Sequence, residues 1–167
     1  MSSSTPTYSS SLVQPFREEL TSVGFKELLT PEDVDSALKV QDDKIILVVL
    51  NSVCGCAAGT VRPGVILSML NELVPDAYFT LFAGMEKEAV AWFREKYLHP
   101  IAPSSPNIAL FKNGELSYIL QRHQVEGKSA MDIAKELMVT YDIICNQKKS
   151  PEAINELKNY IANRYNI

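Results

Sequence analysis

Cys54 and Cys56, separated only by Gly55, are the residues of this chain whose type and spacing point most directly to chemistry. Thiol–disulfide exchange needs a thiolate that attacks and a second thiol near enough to resolve the mixed disulfide. A C-x-C pair supplies both. Gly55 admits backbone angles that a residue with a side chain would resist. The ring closed by C-x-C is smaller than that closed by C-x-x-C, and a disulfide held away from preferred geometry is easier to reduce. The pair therefore reads as a labile, catalytic bridge. Two other readings stay open at this point. Free cysteines are often inert core residues, and paired thiolates are also soft metal ligands. A metal-binding carrier using Cys54 and Cys56 is therefore the competing reading: zinc takes about four ligands, for which Cys145, His99 and His123 are the other obvious donors, and a two-thiolate Cu(I) site is open as well.

The elements around the pair must bring it to an accessible edge. Ile45 to Leu50 is an unbroken, mostly β-branched run, the pattern of a central strand buried on both faces. The cysteines follow at once. Arg62-Pro63-Gly64 then leads into a helix carrying Val65, Ile66, Met69, Leu70 and Leu73. Ala77 to Ala83 reads as another strand and Glu86 to Tyr97 as another helix. Asn107–Lys112 and Glu115–Gln121 flank Asn113-Gly114, a strong hairpin signal. Ser129 with Asp132 caps a helix lined by Ile133, Leu137, Tyr141 and Ile144, and Ser150-Pro151-Glu152 opens a last one with Ile154, Leu157 and Ile161. Upstream, Leu12, Phe16, Leu20 and Val23 recur at helical spacing before Gly24, Phe25 to Leu28 suits a short edge strand, and Thr30-Pro31-Glu32-Asp33 starts a helix running to about Val40. A strand–helix–strand unit implies a parallel pair, whereas the hairpin adds antiparallel strands. A mixed sheet with helices on both faces is the thioredoxin-like, three-layer α/β architecture, here with added N- and C-terminal helices. Ligands of open α/β sheets bind at the carboxyl ends of strands, where Cys54 and Cys56 fall.

Composition narrows the function classes. A chain of 167 residues, 46% hydrophobic, can bury one proper core. Its net charge of −4 argues against a nucleic-acid ligand. No run reaches the ~18 apolar residues of a membrane span, and Met1-Ser2-Ser3-Ser4-Thr5 lacks the features of a secretory signal, so the expected location is cytoplasmic. Three cysteines, an odd number, suit redox or metal chemistry better than a structural framework. Residues 1–9 are expected to form a flexible leader, 10–145 the thioredoxin-like domain, and 146–167 a C-terminal helical extension.

Other positions support the pair. A helix following the cysteines would aim its N–H groups at them and lower the pKa of the nearer thiol, and Arg62 would add to this if its side chain folded back. Ser104-Ser105-Pro106 precedes the hairpin, where a thioredoxin fold commonly places a cis-proline opposite the cysteines. Gly55, Arg62, Ser105 and Pro106 are therefore the expected substrate-contacting positions. Trp92 and Phe93 read as core, His123 as a hydrogen-bonded structural residue, and Cys145 as a buried hydrophobe or a slow second resolver.

The segment Asn51-Ser52-Val53-Cys54-Gly55-Cys56-Ala57-Ala58-Gly59, with Arg62-Pro63 behind it, closely resembles the bacilliredoxin family. Further matches are Arg17-Glu18-Glu19-Leu20-Thr21-Ser22-Val23-Gly24-Phe25, Phe82-Ala83-Gly84, Pro103-Ser104-Ser105-Pro106, Arg122-His123 and Glu126-Gly127. The resemblance covers roughly Leu12 to Cys145 and leaves the tail from Asn146 to Ile167 outside it. It implies a thioredoxin-like fold, removal of bacillithiol from mixed disulfides on cytosolic proteins, Cys54 as attacker and Cys56 as resolver. It implies no tightly bound cofactor, with the small thiol as substrate or product. Disulfide isomerase activity is also attributed to proteins of this type.

Overall fold

The computed structural model describes residues 5–166. Its centre is β2 (Ile45–Asn51), every residue of which is buried. Alternation along β2 divides the interior in two. Ile45, Leu47 and Val49 face one core with residues of α1 (Ser10–Thr21), α3 (Arg62–Ser68), α6 (Ala130–Ile144) and α7 (Pro151–Tyr165). Ile46, Val48 and Leu50 face the other, with α2 (Pro31–Leu38) and α4 (Lys87–Trp92). A strand with apolar side chains on both faces needs cover on both; the three layers follow.

The five-stranded sheet runs β1 (Lys26–Glu27), β4 (Ala77–Phe82), β2, β5 (Asn107–Lys112), β6 (Glu115–Leu120). β1 and β2 are parallel to β4, while β5 is antiparallel to both β2 and β6. The hairpin turns where expected: Asn113 and Gly114 have φ of 52° and 80°, the positive pair that a two-residue loop requires. Capping boxes at Thr30/Asp33 and Ser129/Asp132 open α2 and α6. A mixed sheet with this order, covered by helices on both faces, is thioredoxin-like. No helix among the described residues is long and apolar enough to cross a membrane.

Two local expectations are corrected. Arg62-Pro63-Gly64 does not open the helix after the cysteines; the chain turns helical directly after Cys54, passes through a π-helical turn at Ala57–Val61, and then continues as α3. In a regular α-helix the ring of Pro63 would meet the carbonyl of Gly59. The wide turn lies immediately before it. Leu73 is not on that helix, which ends at Ser68, but in β3 (Leu73–Val74), paired antiparallel with β7 (Gln147–Lys148). This small sheet, with the Lys149 N–H donating to the Glu72 carbonyl at 2.9 Å, fastens the C-terminal extension to the body. Leu157 and Ile161 then enter the same core as Leu47 and Val49. Of the expected flexible leader, residues 1–4 lie outside the described residues, but Thr7 donates its N–H to the Gly84 carbonyl at 2.7 Å and Tyr8 packs beside Phe82 and Met85.

Gly64 explains the close approach of α3 and α6. A Cβ there would lie 2.9 Å from the Ala130 carbonyl oxygen and 2.9 Å from the Ile133 Cβ. That contact holds α3, and with it the helical turns after the cysteines, against the body.

Candidate active site

Cys54 sits three residues beyond the end of β2, where the strand gives way to a helix. Its carbonyl accepts from the N–H groups of Ala57 at 3.1 Å and Ala58 at 3.3 Å, and its own N–H donates to the Ser52 hydroxyl at 3.2 Å. Cys54 is thus the residue from which the helix starts, with the N–H groups of Cys56 and Ala57 close to its sulfur. Cys54 Sγ and Cys56 Sγ are 2.9 Å apart, both half-exposed and both free thiols.

The environment divides the two sulfurs. Burial raises the Cys54 thiol, but hydrogen bonds from the Cys56 thiol, the Ala57 N–H, the Ser52 hydroxyl and the Cys56 N–H outweigh it, so its pKa lies below the ordinary thiol value. At Cys56, burial and then the hydrogen bond and charge of Cys54 raise the pKa, opposed by the charge of Arg122 and by its own N–H. Cys54 is the sulfur that ionises first. Alkylation of the reduced protein followed by peptide mapping should therefore show Cys54 reacting first, with a midpoint below the ~8.5 of a free cysteine. Preferential labelling of Cys56 at neutral pH would reverse the assignment.

Gly55 is helical, and a Cβ placed on it would meet nothing within 4 Å. Its expected conformational role is corrected accordingly: no left-handed angle is needed, and the place a Cβ would take is open.

Arg62 also departs from expectation. Its side chain is 2% exposed and does not reach out to a substrate. Its Nε pairs with Glu19, its Nη1 donates to Asn51 Oδ1 and the Ser52 carbonyl, each at 2.9 Å, and its guanidinium lies 4.8 Å from the centre of the Phe16 ring. Asn51 in turn accepts from the Ser52 N–H at 2.8 Å and donates to the Phe16 carbonyl at 3.1 Å. Arg62 therefore anchors the end of β2 to α1. Sequence spacing from the cysteines carried no sign of this burial.

Ser105–Pro106 is a cis peptide, as is His99–Pro100. Pro106 directly precedes β5, whose Asn107 is registered with Leu50 of β2, so the proline lies at the same sheet edge as the cysteines. The Ser104 carbonyl accepts from Asn107 Nδ2 at 3.0 Å and from Arg94 Nη2 at 3.4 Å, and the Ser105 carbonyl from Arg122 Nη1 at 3.3 Å. Arg94 and Arg122, which opens the short helix α5 (Arg122–Val125), are cations at this loop to which the sequence alone assigned no role. His123, next to Arg122, is exposed on the same turn.

Cys145 belongs elsewhere. It is 3% exposed, and burial, with Asp76 and Asp142 adding to it, pushes its thiol up to about 12. Asp76 caps the opposite end of β2, accepting from the Ile45 N–H at 2.7 Å. Cys145→Ala should therefore leave release of a small thiol from a mixed-disulfide substrate within about twofold of the parent rate, at a stability cost on the order of 1 kcal/mol. A variant that attacks normally but stalls as the mixed disulfide would make Cys145 the resolver. Among the described residues, no group of three or more His, Cys, Asp or Glu side chains is placed to hold a metal ion.

A thioredoxin-like sheet carrying two unequal thiols at a strand-to-helix junction defines a thiol–disulfide oxidoreductase. The family model described as disulphide isomerase matches residues 8–145. A bacilliredoxin of Cytophaga hutchinsonii is 49% identical over 135 residues, covering 81% of this chain and 98% of its own. One from Halalkalibacterium halodurans is 46% identical over 138 residues, covering 83% and 94%. Among solved structures, spinach chloroplast thioredoxin f aligns with a TM-score of 0.49 at 14% identity, covering 76% of this chain and 93% of that one. The chain belongs to the bacilliredoxin family.

Proposed function

We propose that this protein strips a small thiol, bacillithiol by its family, from mixed disulfides on cytoplasmic protein cysteines. The Cys54 thiolate attacks the small-thiol sulfur, and the protein cysteine leaves as a thiolate. Cys56, having lost its proton, then attacks Cys54 Sγ, and the small thiol departs with the electron pair of the bond that breaks. The Cys54–Cys56 disulfide is returned to the dithiol by two reducing equivalents from another thiol system. The observation that carries this reading is the unequal pair itself, two sulfurs 2.9 Å apart with hydrogen bonds that favour charge on Cys54. Ser105 and Pro106, at the same edge, are the backbone positions proposed to receive the substrate, with the space beside Gly55 admitting it. Arg62 supports the loop from beneath.

The family model's description favours a second reading, isomerisation of protein disulfides. An isomerase must linger as a mixed disulfide with its substrate while other thiols attack, and a resolving sulfur already at 2.9 Å shortens that interval. Removal of small thiols is the better fit. The test compares release of bacillithiol from a bacillithiolated protein with reactivation of a scrambled disulfide protein, both under a reducing system. The expected result is fast release and slow reactivation. The reverse order would give the isomerase reading precedence.

A further inference from the structure

An unbroken chain of contacts joins the end of the C-terminal extension to the attacking cysteine. The Tyr165 hydroxyl, in the last turn of α7, donates to Glu19 Oε2 at 2.9 Å. The other Glu19 oxygen pairs with Arg62 Nε, and Arg62 Nη1 donates to Asn51 Oδ1 and to the Ser52 carbonyl, each at 2.9 Å. Asn51 Oδ1 also accepts the Ser52 N–H at 2.8 Å. Ser52 is thus held at both its N–H and its carbonyl, and its hydroxyl accepts the Cys54 N–H at 3.2 Å. Leu157 and Ile161 of α7 share a core with Val61 and Val65, which follow the cysteines, and Tyr165 packs against it. This helix lies outside residues 8–145, the span that the family model matches. We propose that Tyr165 is a positioning residue for the first chemical step, holding the Ser52 hydroxyl against Cys54 through Glu19 and Arg62.

The proposal rests on Cys54 as the attacking sulfur and adds what keeps its neighbour in place. Glu19, Asn51, Ser52 and Arg62 are all buried, so a bond lost among them is not replaced by one to water. Without the phenol hydroxyl, Glu19 Oε2 becomes a buried acceptor with no donor, and the carboxylate gains by turning from Arg62 to find one. Arg62 then grips Asn51 and the Ser52 carbonyl less firmly. The Ser52 hydroxyl, which favours charge on Cys54, spends less time in position. Burial and then the charge of Glu19 raise the Tyr165 phenol, so it keeps its proton, and its role as donor, across the range in which a thiol titrates. Cys56 on the same turn and Arg122 on α5 also act on Cys54, and both stay unaltered in the variants below.

The experiment measures the rate at which iodoacetamide alkylates Cys54 in the reduced full-length chain from pH 5 to 10, with peptide mapping to separate Cys54 from Cys56. Ser52→Ala should raise the Cys54 midpoint by about one pH unit, slowing alkylation ~tenfold below it. Arg62→Lys keeps the charge but loses the planar fork, and should raise the midpoint by about half a unit. Tyr165→Phe keeps the ring in its packing and should raise it by about 0.3 unit, a ~twofold slowing, with the high-pH plateau unchanged. In a Ser52→Ala background, Tyr165→Phe should add no further shift, because the group it positions is already gone. A Tyr165→Phe profile that superposes on the parent's would overturn the proposal. So would an equal shift in both backgrounds, the mark of a general loosening that does not pass through Ser52. Labelling of Cys56 before Cys54 in the parent would instead overturn the assignment of the attacking sulfur on which the proposal stands.

Discussion

Cys54→Ala should lose turnover of a mixed-disulfide substrate by at least ~1,000-fold, while Cys56→Ala should lose turnover but keep the first attack. The difference follows from the bonds each sulfur makes. Cys54 contributes to the fold through its backbone, accepting from Ala57 and Ala58 and donating to Ser52, and alanine preserves all of these. What alanine removes is the sulfur that ionises first. Cys54→Ser keeps a group of similar size but one that does not ionise near neutral pH, so it should be equally inactive. In Cys56→Ala the thiol that donates to Cys54 is gone, and with it a main cause of the lowered Cys54 pKa. Its first attack should therefore persist with a midpoint moved toward the ordinary thiol value, several-fold slower at pH 7 and nearly restored above pH 9. Unchanged circular dichroism in all three variants would assign the losses to chemistry. Retention of steady turnover by Cys54→Ala would place the nucleophile elsewhere.

The second large effect lies beneath the site. Glu19 and Arg62 form an ion pair whose side chains are 8% and 2% exposed, and Tyr165 of α7 donates to the other Glu19 oxygen at 2.9 Å. Removing one member of a buried pair leaves the other charge without compensation, at a cost of about 3–5 kcal/mol. Arg62→Met and Glu19→Leu should each lower the midpoint of thermal unfolding by about 10 °C in a chain of this size. The double variant should be less destabilised than the sum of the two, because no lone charge is left behind. Tyr165→Phe, which removes one hydrogen bond to the carboxylate, should cost nearer 1 kcal/mol. Denaturant unfolding of the reduced proteins measures all four. A loss below about 1 kcal/mol for Arg62→Met would mean that the pair does not brace the loop as its burial implies.

The features that could be read from sequence are those fixed by nearest neighbours along the chain. The run Ile45 to Leu50, the hairpin at Asn113-Gly114, and the boxes Thr30/Asp33 and Ser129/Asp132 each carry their own local cause, and each forms. The thiol pair was legible as a motif, whereas the cis Ser105–Pro106 peptide was expected from its place in the assumed thioredoxin-like fold and not from its neighbours in the chain. What could not be read depends on elements far apart in the chain. Arg62 is only six positions from Cys56, yet its partner Glu19, forty-three residues earlier, draws it inward. Arg122 is distant in sequence and reaches the site because β6 is registered beside β5. β3 and β7 are two residues each, too short for a period, and form through pairing with one another. Gly55 signalled special backbone geometry by its type alone, whereas the helix it enters asks for none.

The most direct measurement is the mass of Cys56→Ala after brief exposure to a bacillithiolated protein, with proteolytic mapping of the adduct. A mechanism in which Cys54 attacks and Cys56 resolves requires one bacillithiol per chain, attached at Cys54, released on adding a reducing thiol, and absent from Cys54→Ala treated alike. An adduct at Cys145, or a Cys54–Cys145 disulfide in place of the stalled species, would contradict that mechanism.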